Sequence, residues 1–524
     1  MGLVMLFACI FVPYFAVQAS LRSEPEEKRL GWSNRPVAVL DGPESMPRVF
    51  ASNQCALIAG IGPGITKAQA AQCLGIVLRK RILKQEQAAQ DALIDCAAQF
   101  SPKVESTSQG IVSLDIEGAE RIFGPPQKLM RTLADHAVRV GLEVNVAAAA
   151  NRDTALLAAK GFTGTTVIQK GNEADFLARL PIDVLPLSEA QAEILDAWGI
   201  RQCRDLALLP PVPLVERLGQ AGLHLQSLAR GEGTTLLVPV DPPLRFEESM
   251  ELEDPIEDLE SLVFIIGRLL DQIGTRLVLR SLATDELILR LQLEVHRDRN
   301  VRDERQPAET PDCWVRTLKL PVAMQNTKVL LKLMQLDLAQ HSPGAAVKRV
   351  AIEARPARRR YTQAGLFAPV APEPERLEIT LARIRGVVGE TDEQGRSKIG
   401  AAEVLHSHKP DDFRMIAFAP EEYAKVTVED ATRPPSVIMS MFRPPLRASV
   451  RCRDGKPIYI SFAEVSSEIV CAGGPWITSG YWWKTEEWRR EEWDVAVQLT
   501  GGVGLYRIFL DLRQDTWFVE GLYD

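Results

Sequence analysis

The stretch with the clearest chemical content is Ile111 to Gly124, IVSLDIEGAERIFG. Ile111, Ser113 and Asp115 alternate with Val112, Leu114 and Ile116, a period-two pattern that predicts a half-buried strand carrying one acid, closed by a turn at Gly118. Phosphoryl transfer by two divalent ions would suit such a strand. Ions about 3.5–4 Å apart share oxygens from adjacent acids and from a third acid on a neighbouring strand. Only Asp115 is in place. Ile116 follows it, the apolar opening segment offers Ile10 and Val12 where acids are needed, and no acid precedes Glu24. Asp115 and Glu117 would share a face if the strand continued, with Glu120 close behind, but a solvated acidic turn accounts for all three. The expectation is a degenerate site at Ile10, Val12, Asp115 and Ile116, with no catalytic residue, no metal and no cofactor. Mg²⁺ enters only if that site is active.

The elements needed to position such a site follow from the flanking pattern. Leu3 to Val12 is long and apolar enough for a buried central strand, and Tyr14 to Leu21 starts the helix after it. The first 21 residues hold no charge, so a signal peptide or membrane anchor competes with that reading. Both are disfavoured, since there is no basic n-region and Pro13 and Gln18 interrupt the run. Further strands are predicted at Arg35 to Leu40, Arg48 to Ser52 and Glu143 to Ala148. Helices are predicted at Lys67 to Leu83, Gln85 to Phe100, Gln127 to Val140 and Asp153 to Lys160. This is a mixed α/β (α+β) domain.

At 524 residues, the chain is too long for one core. Its net charge of -8 argues against a uniformly basic nucleic-acid binder, so DNA contact would be local. Eight scattered cysteines without a CxxC pair fit reduced thiols and a cytoplasmic protein, not a zinc site or a disulfide scaffold. His406 and His408, near Asp411 and Asp412, read as a surface loop for want of a further spaced ligand.

Over roughly the first 350 residues the order of parts resembles the Y-family DNA polymerases, the UmuC and DinB group. The family opens with D-x-D-x-F-F-A-S-V-E, and here Ile10, Val12, Tyr14, Phe15, Ala16 and Ala19 occupy those places. Its S-I-D-E-A-Y-L-D signature is similar to Ser113 through Glu120, which would leave Asp115 as the surviving metal acid beside Ile116. The triphosphate-gripping Y-E-A-R resembles Asn53, Gln54, Cys55 and Ala56, and the palm lysine of N-K-x-x-A-K falls at Leu156. Stripped of acids and cations, such a site implies no polymerisation. Glu173 to Gly233 resembles the family's helical thumb. Its degenerate helix-hairpin-helix turns at Gly199, where backbone amides would meet a phosphate. Residues 241–354, with helices at Ile256 to Gln272 and Lys328 to Gln340 and strands at Glu286 to His296 and Arg349 to Glu353, sit where the family keeps its little finger.

Arg355 to Pro374 reads as an exposed linker. It carries a basic cluster, Arg358, Arg359 and Arg360, assigned to DNA. Gln363, Leu366 and Phe367 resemble the bacterial sliding-clamp motif Q-L-x-L-F, in which an amide and two apolar side chains anchor to a pocket. The tail holds six of nine tryptophans and alternates as a small β module, either an aromatic core or a partner-binding face. GPWITSGYWW, EEWDVA and WFVEGLYD in that tail are similar to the ImuB branch of the family.

The expected organisation is a palm and fingers over 1–170, a thumb over 171–240, a little-finger-like domain over 241–354, a clamp-motif linker over 355–375, an extension over 376–445 and a C-terminal module over 446–524. The ImuB resemblance implies a catalytically silent hub of damage-induced mutagenesis. It would bind DNA, the sliding clamp, a RecA-like ImuA protein and a DnaE-type error-prone polymerase, with no membrane involved. An active translesion polymerase using Mg²⁺ and deoxynucleotides, and a damage-binding protein without clamp contact, are the alternatives.

Overall fold

The computed structural model describes residues 6–24, 31–241, 244–294, 313–358, 374–389, 398–407, 409, 412–416, 439–483 and 487–523. The chain separates into two units, 1–386 and 387–524.

The first unit opens with β1 (Phe7–Phe11) and the helix Phe15–Leu21, as the apolar run predicts. A small sheet of order β3-β2-β4 follows, from β2 (Val37–Asp41), β3 (Arg48–Ser52) and β4 (Val77–Lys80), with β2 and β4 parallel. The helix expected from Lys67 to Leu83 is a single capped turn, Lys67–Ala70. Gly75 reverses the chain at φ 77°, and Val77 to Lys80 are drawn into pairing with β2. Local helix propensity loses there to the sheet.

The five-stranded sheet has the order β5-β6-β1-β7-β8, from β5 (Val104–Ser108), β6 (Ile111–Asp115), β7 (Asn145–Ala149) and β8 (Thr165–Val167). β1 lies at its centre and is covered on both sides. Ala8, Ile10, Val12, Val112 and Leu114 join a core with Leu93, Leu129 and Leu133 of the helices Leu83–Ala98 and Pro126–Arg139. Cys9, Ala147 and Ala149 meet Ala155, Ala158 and Ala159 of helix Arg152–Gly161 on the other face. Double burial explains why β1 reads as an unbroken apolar run.

Helices Glu173–Leu177, Glu189–Ala197, Cys203–Ala207 and Pro211–Ala229, the last broken at Gly219, share a core around Leu180, Leu195, Leu206 and Leu225. Beyond them an antiparallel sheet of order β11-β10-β12-β9 is built from β9 (Phe246–Ile256), β10 (Leu282–Leu293), β11 (Cys313–Met324) and β12 (Val347–Arg358). Helices Leu259–Leu279 and Thr327–Gln340 pack on it, and helix Pro374–Val388 lies against the second of them, with Gly386 close to Leu336. The strand β12 continues to Arg358, so Arg355 and Arg358 belong to the sheet and not to an extended linker.

A buried ionic cluster joins the two sheet domains of this unit. Arg22, behind the first helix, pairs with Glu248 of β9, and Glu248 also accepts from Arg276 Nη1 at 3.0 Å. Arg276 and Arg280 reach Asp95 of helix Leu83–Ala98 at 2.8 and 2.7 Å.

The second unit holds the pair β13 (Ala401–Val404) and β14 (Phe413–Ile416), and a closed six-stranded barrel. The barrel runs in chain order through β15 (Met439–Arg453), β16 (Lys456–Phe462), β17 (Val465–Gly480), β18 (Trp488–Leu499), β19 (Gly502–Asp511) and β20 (Thr516–Tyr523), with β20 closing on β15. Because β15 begins at Met439, the boundary expected at 445/446 falls inside a strand, at a break in register that Pro444 and Pro445 occupy. Trp493 is 1% exposed in the barrel core, whereas Trp482 and Trp483 are 77% and 62% exposed. The aromatic tail is thus both core and surface. Among the described residues no helix is long and apolar enough to cross a membrane.

Candidate functional site

The register of the central sheet decides which side chains meet. Ile10 lies opposite Val112, Phe11 opposite Ile111, and Asp115 opposite Phe7 at the far end of the strand pair. The structure therefore does not bring Asp115 to Ile10 or Val12. β6 also ends at Asp115, so Glu117 has left the strand and the shared face expected for the two acids is absent.

Asp115 is already committed. Its Oδ2 accepts from Lys103 Nζ at 2.8 Å and its Oδ1 from the Glu117 backbone N–H at 2.9 Å. The Asp115 carboxylate in turn holds the Lys103 ammonium above the usual lysine range.

What stands beside Val12 is the β5–β6 turn. The Val12 amide donates to the Gly110 carbonyl at 2.8 Å. Gly110 has φ 73°, a conformation open to glycine, and a Cβ there would lie 2.8 Å from Phe15 Cβ. Its own N–H donates to Gln90 Oε1 at 2.7 Å, which ties the turn to helix Leu83–Ala98. If the eight-residue signature is slid back by five positions, its Ser, Leu and Asp fall on Ser108, Leu114 and Asp115. Its acid pair then falls on Gly110 and Ile111, the residues nearest Ile10 and Val12. Sequence matching missed this because the SLD tripeptide satisfies the signature in two frames.

Ile10 and Val12 are buried in the core, and Ile111 is 7% exposed. Ile116 is 3% exposed and packs in the same core as Ile10. On the opposite face Cys9 sits beside Ser113, and burial pushes its thiol up to about 12. Arg152 there pairs with Glu105 and reaches Thr107 Oγ1 at 3.3 Å, while Thr107 bonds Ser113 at 3.0 Å. Glu105 and Asp153 accept the Val238 and Thr235 amides at 2.8 and 3.0 Å. These polar groups fasten the chain after the helical segment onto the sheet. Among the described residues no three His, Cys, Asp or Glu side chains converge as a metal site requires.

The residues matched to the phosphate clamp are structural. Asn53 caps helix Gln54–Ile58, accepting from the Ala56 and Val37 amides at 3.0 Å and donating to the Trp32 and Arg35 carbonyls at 2.8 Å. Gln54 is held by Tyr14 Oη at 2.5 Å, and Ala56 is buried. Leu156 packs beside the Ala155–Ala159 face. Nothing at these positions offers a cation to a triphosphate.

Gly199 turns at φ 72° between helices Glu189–Ala197 and Cys203–Ala207, its amide bonded to the Asp196 carbonyl at 2.8 Å and a Cβ there meeting nothing within 4 Å. Arg358 is exposed at the end of β12, and Arg355 is paired with Glu286 at 2.9 Å. Arg359, Arg360, Gln363, Leu366, Phe367 and His408 lie outside the described residues.

Residues 10–160 match the impB/mucB/samB family, which defines this part of the chain as a domain of the UmuC, Y-family polymerase type. Among curated relatives, DNA polymerase IV of Caulobacter vibrioides is 28% identical over 170 residues, 30% of this chain and 42% of that protein. Protein ImuB of the same organism is 25% identical over 192 residues, 37% of this chain and 42% of that protein. The chain thus spans less than half the length of these relatives. The crystal structure of DinB from Sulfolobus solfataricus aligns with 68% of this chain and 100% of its own, at 17% identity and a TM-score of 0.39. The chain is an ImuB-like protein derived from the Y family.

Proposed function

We propose that this protein is a non-catalytic hub of damage-induced translesion synthesis. In this reading it contacts DNA through the Gly199 hairpin and the Arg358–Arg360 cluster, and the sliding clamp through Gln363, Leu366 and Phe367. It recruits a RecA-like ImuA partner and a DnaE-type error-prone polymerase in the cytoplasm. The observation that carries the reading is the hydrophobic replacement of the site. Ile10 and Val12, with Gly110 and Ile111 beside them, stand where a two-metal reaction needs carboxylates, and Asp115 is held by Lys103 away from them. Phosphoryl transfer without metal ligands or phosphate cations loses the charge stabilisation on which its rate depends.

The likeness to DNA polymerase IV favours one competing reading, an active translesion polymerase. Primer extension by the purified chain with Mg²⁺ and with Mn²⁺, run beside clamp capture by wild type and by the Gln363→Ala, Leu366→Ala, Phe367→Ala variant, separates the two. The hub reading expects no extension, and clamp capture that disappears in the variant. Extension by wild type would overturn it, and capture unaffected by the variant would remove the clamp assignment.

A further inference from the structure

The barrel of the second unit is electrostatically divided. Residues 443–456 carry five basic side chains and one acid, Asp454, whereas 457–524 carry five basic and eleven acidic. In the acidic part the cations are internally matched, Arg490 with Glu492 and Glu520 and Arg507 with Asp494. Burial pushes Asp494 up, but the bonds from Arg507 and Tyr523 outweigh it and hold the carboxyl below its usual range. The basic part is not matched. Arg447, Arg451, Arg453 and Lys456 are exposed and pair with no carboxylate among the described residues.

These four side chains lie on one rigid hairpin. Asp454 and Gly455 have φ 54° and 75°, the two-residue turn whose twist matches paired strands, and it sets Arg453 opposite Lys456. On β15 the outward positions repeat every second residue, about 6.8 Å apart. Arg451 faces Tyr459 on β16, with its guanidinium carbon 4.2 Å from the ring centroid, so that cation and aromatic face form one platform. At the other end Arg447 lies opposite Phe518, which stacks on Phe509 at 5.2 Å.

We infer that the outer face of the β15–β16 hairpin is a binding surface for single-stranded DNA. The unmatched cations follow the phosphates, and the Arg451–Tyr459 platform takes an unstacked base. Unpaired bases select this platform, because a duplex keeps its ring faces stacked inside. Charge complementarity alone would also attract an acidic polypeptide; the aromatic ring set under a cation on the same strand pair favours the nucleic acid. The surface is separate from the hairpin at Gly199 and from the clamp motif.

The test is fluorescence anisotropy of a dye-labelled oligo-thymidine with the full chain over a salt series. A duplex of the same length and poly-glutamate serve as competitors. Changing Arg447, Arg451, Arg453 and Lys456 together to Ala should flatten the slope of log affinity against log salt by about 2.8, at 0.7 per lost phosphate contact. Tyr459→Leu should weaken single-strand binding roughly 5- to 150-fold, and hardly change the salt slope. Lysine at Arg447, Arg451 and Arg453 should keep the slope, which excludes misfolding as the cause. The difference between wild type and variant isolates this face from any DNA contact made elsewhere in the chain. An unchanged slope in the alanine variant would overturn the assignment. So would equal competition by duplex, or binding of poly-glutamate that the same four changes abolish while oligonucleotide affinity stays constant.

Discussion

Glu248→Gln is the most direct probe of how the first unit is held together. Glu248 is 2% exposed and is the carboxylate shared by Arg22 and Arg276, which are 2% and 1% exposed. With the charge removed, Arg276 keeps Asp95 at 2.8 Å, but Arg22 keeps only the Val140 carbonyl at 2.9 Å. Three buried or half-buried arginines, Arg22, Arg276 and Arg280, would then face one carboxylate, Asp95. Breaking a buried pair on one side costs about 3–5 kcal/mol, because a charge is left without compensation. At about 2–4 °C per kcal/mol, the melting midpoint of the first unit should fall by roughly 6–20 °C. Urea titration and thermal melting of the full chain would measure it. Replacing Arg22, Glu248 and Arg276 together by Met, Leu and Met should recover most of the loss, since Asp95 and Arg280 still pair and apolar side chains fill the space. A loss below about 1 kcal/mol for Glu248→Gln would refute the claim that this cluster is desolvated and joins the two sheets.

Other outcomes follow from the same contacts. Ile10→Asp should destabilise by about 3–5 kcal/mol, because the carboxylate enters a site with no exposure and no partner, and primer extension should stay absent; a stable, extending variant would contradict the register argument. Thiol reagents under native conditions should label the exposed Cys313, Cys452 and Cys471. Cys9 and Cys96, whose thiols burial raises to about 12, should be spared, as mass spectrometry of the labelled peptides would show. Asp494 has a depressed pKa, so its contribution to the barrel is present above the unfolded carboxylate value of about 3.9 and is lost as pH falls below it. Asp494→Asn should therefore flatten the acid limb of the stability profile, and an unaltered limb would count against the Arg507–Tyr523 clasp.

Much of the architecture was legible from the sequence, for physical reasons that also explain the misses. β1 and β6 announced themselves by β-branched residues, and the helices Pro126–Arg139 and Arg152–Gly161 by their apolar period. β9, FEESMELEDPI, did not, because its charges are satisfied by Arg22, Arg276 and other partners far away in the chain. Arg22 and Glu248 are 226 positions apart, and no local pattern encodes such a pair. β4 hid behind a helical composition that sheet pairing overrode. The degenerate site was legible as a loss of acids, but the frame of the loss was not; only the opposition of Ile10 to Val112 fixes it.

The turn at Gly110 gives that loss a direction. A carboxylate cannot return to this position alone, since φ 73° and the contact with Phe15 stand against any side chain, and Gln90 occupies the amide that would have to move. An acid at Ile10 meanwhile gains nothing until its neighbours across the strand have changed. Each single reversal passes through a less stable chain with no new activity to select. The palm is therefore ratcheted: the residues that replaced the chemistry have become the packing, and drift can vary the surfaces of this protein far more easily than it can reopen the centre.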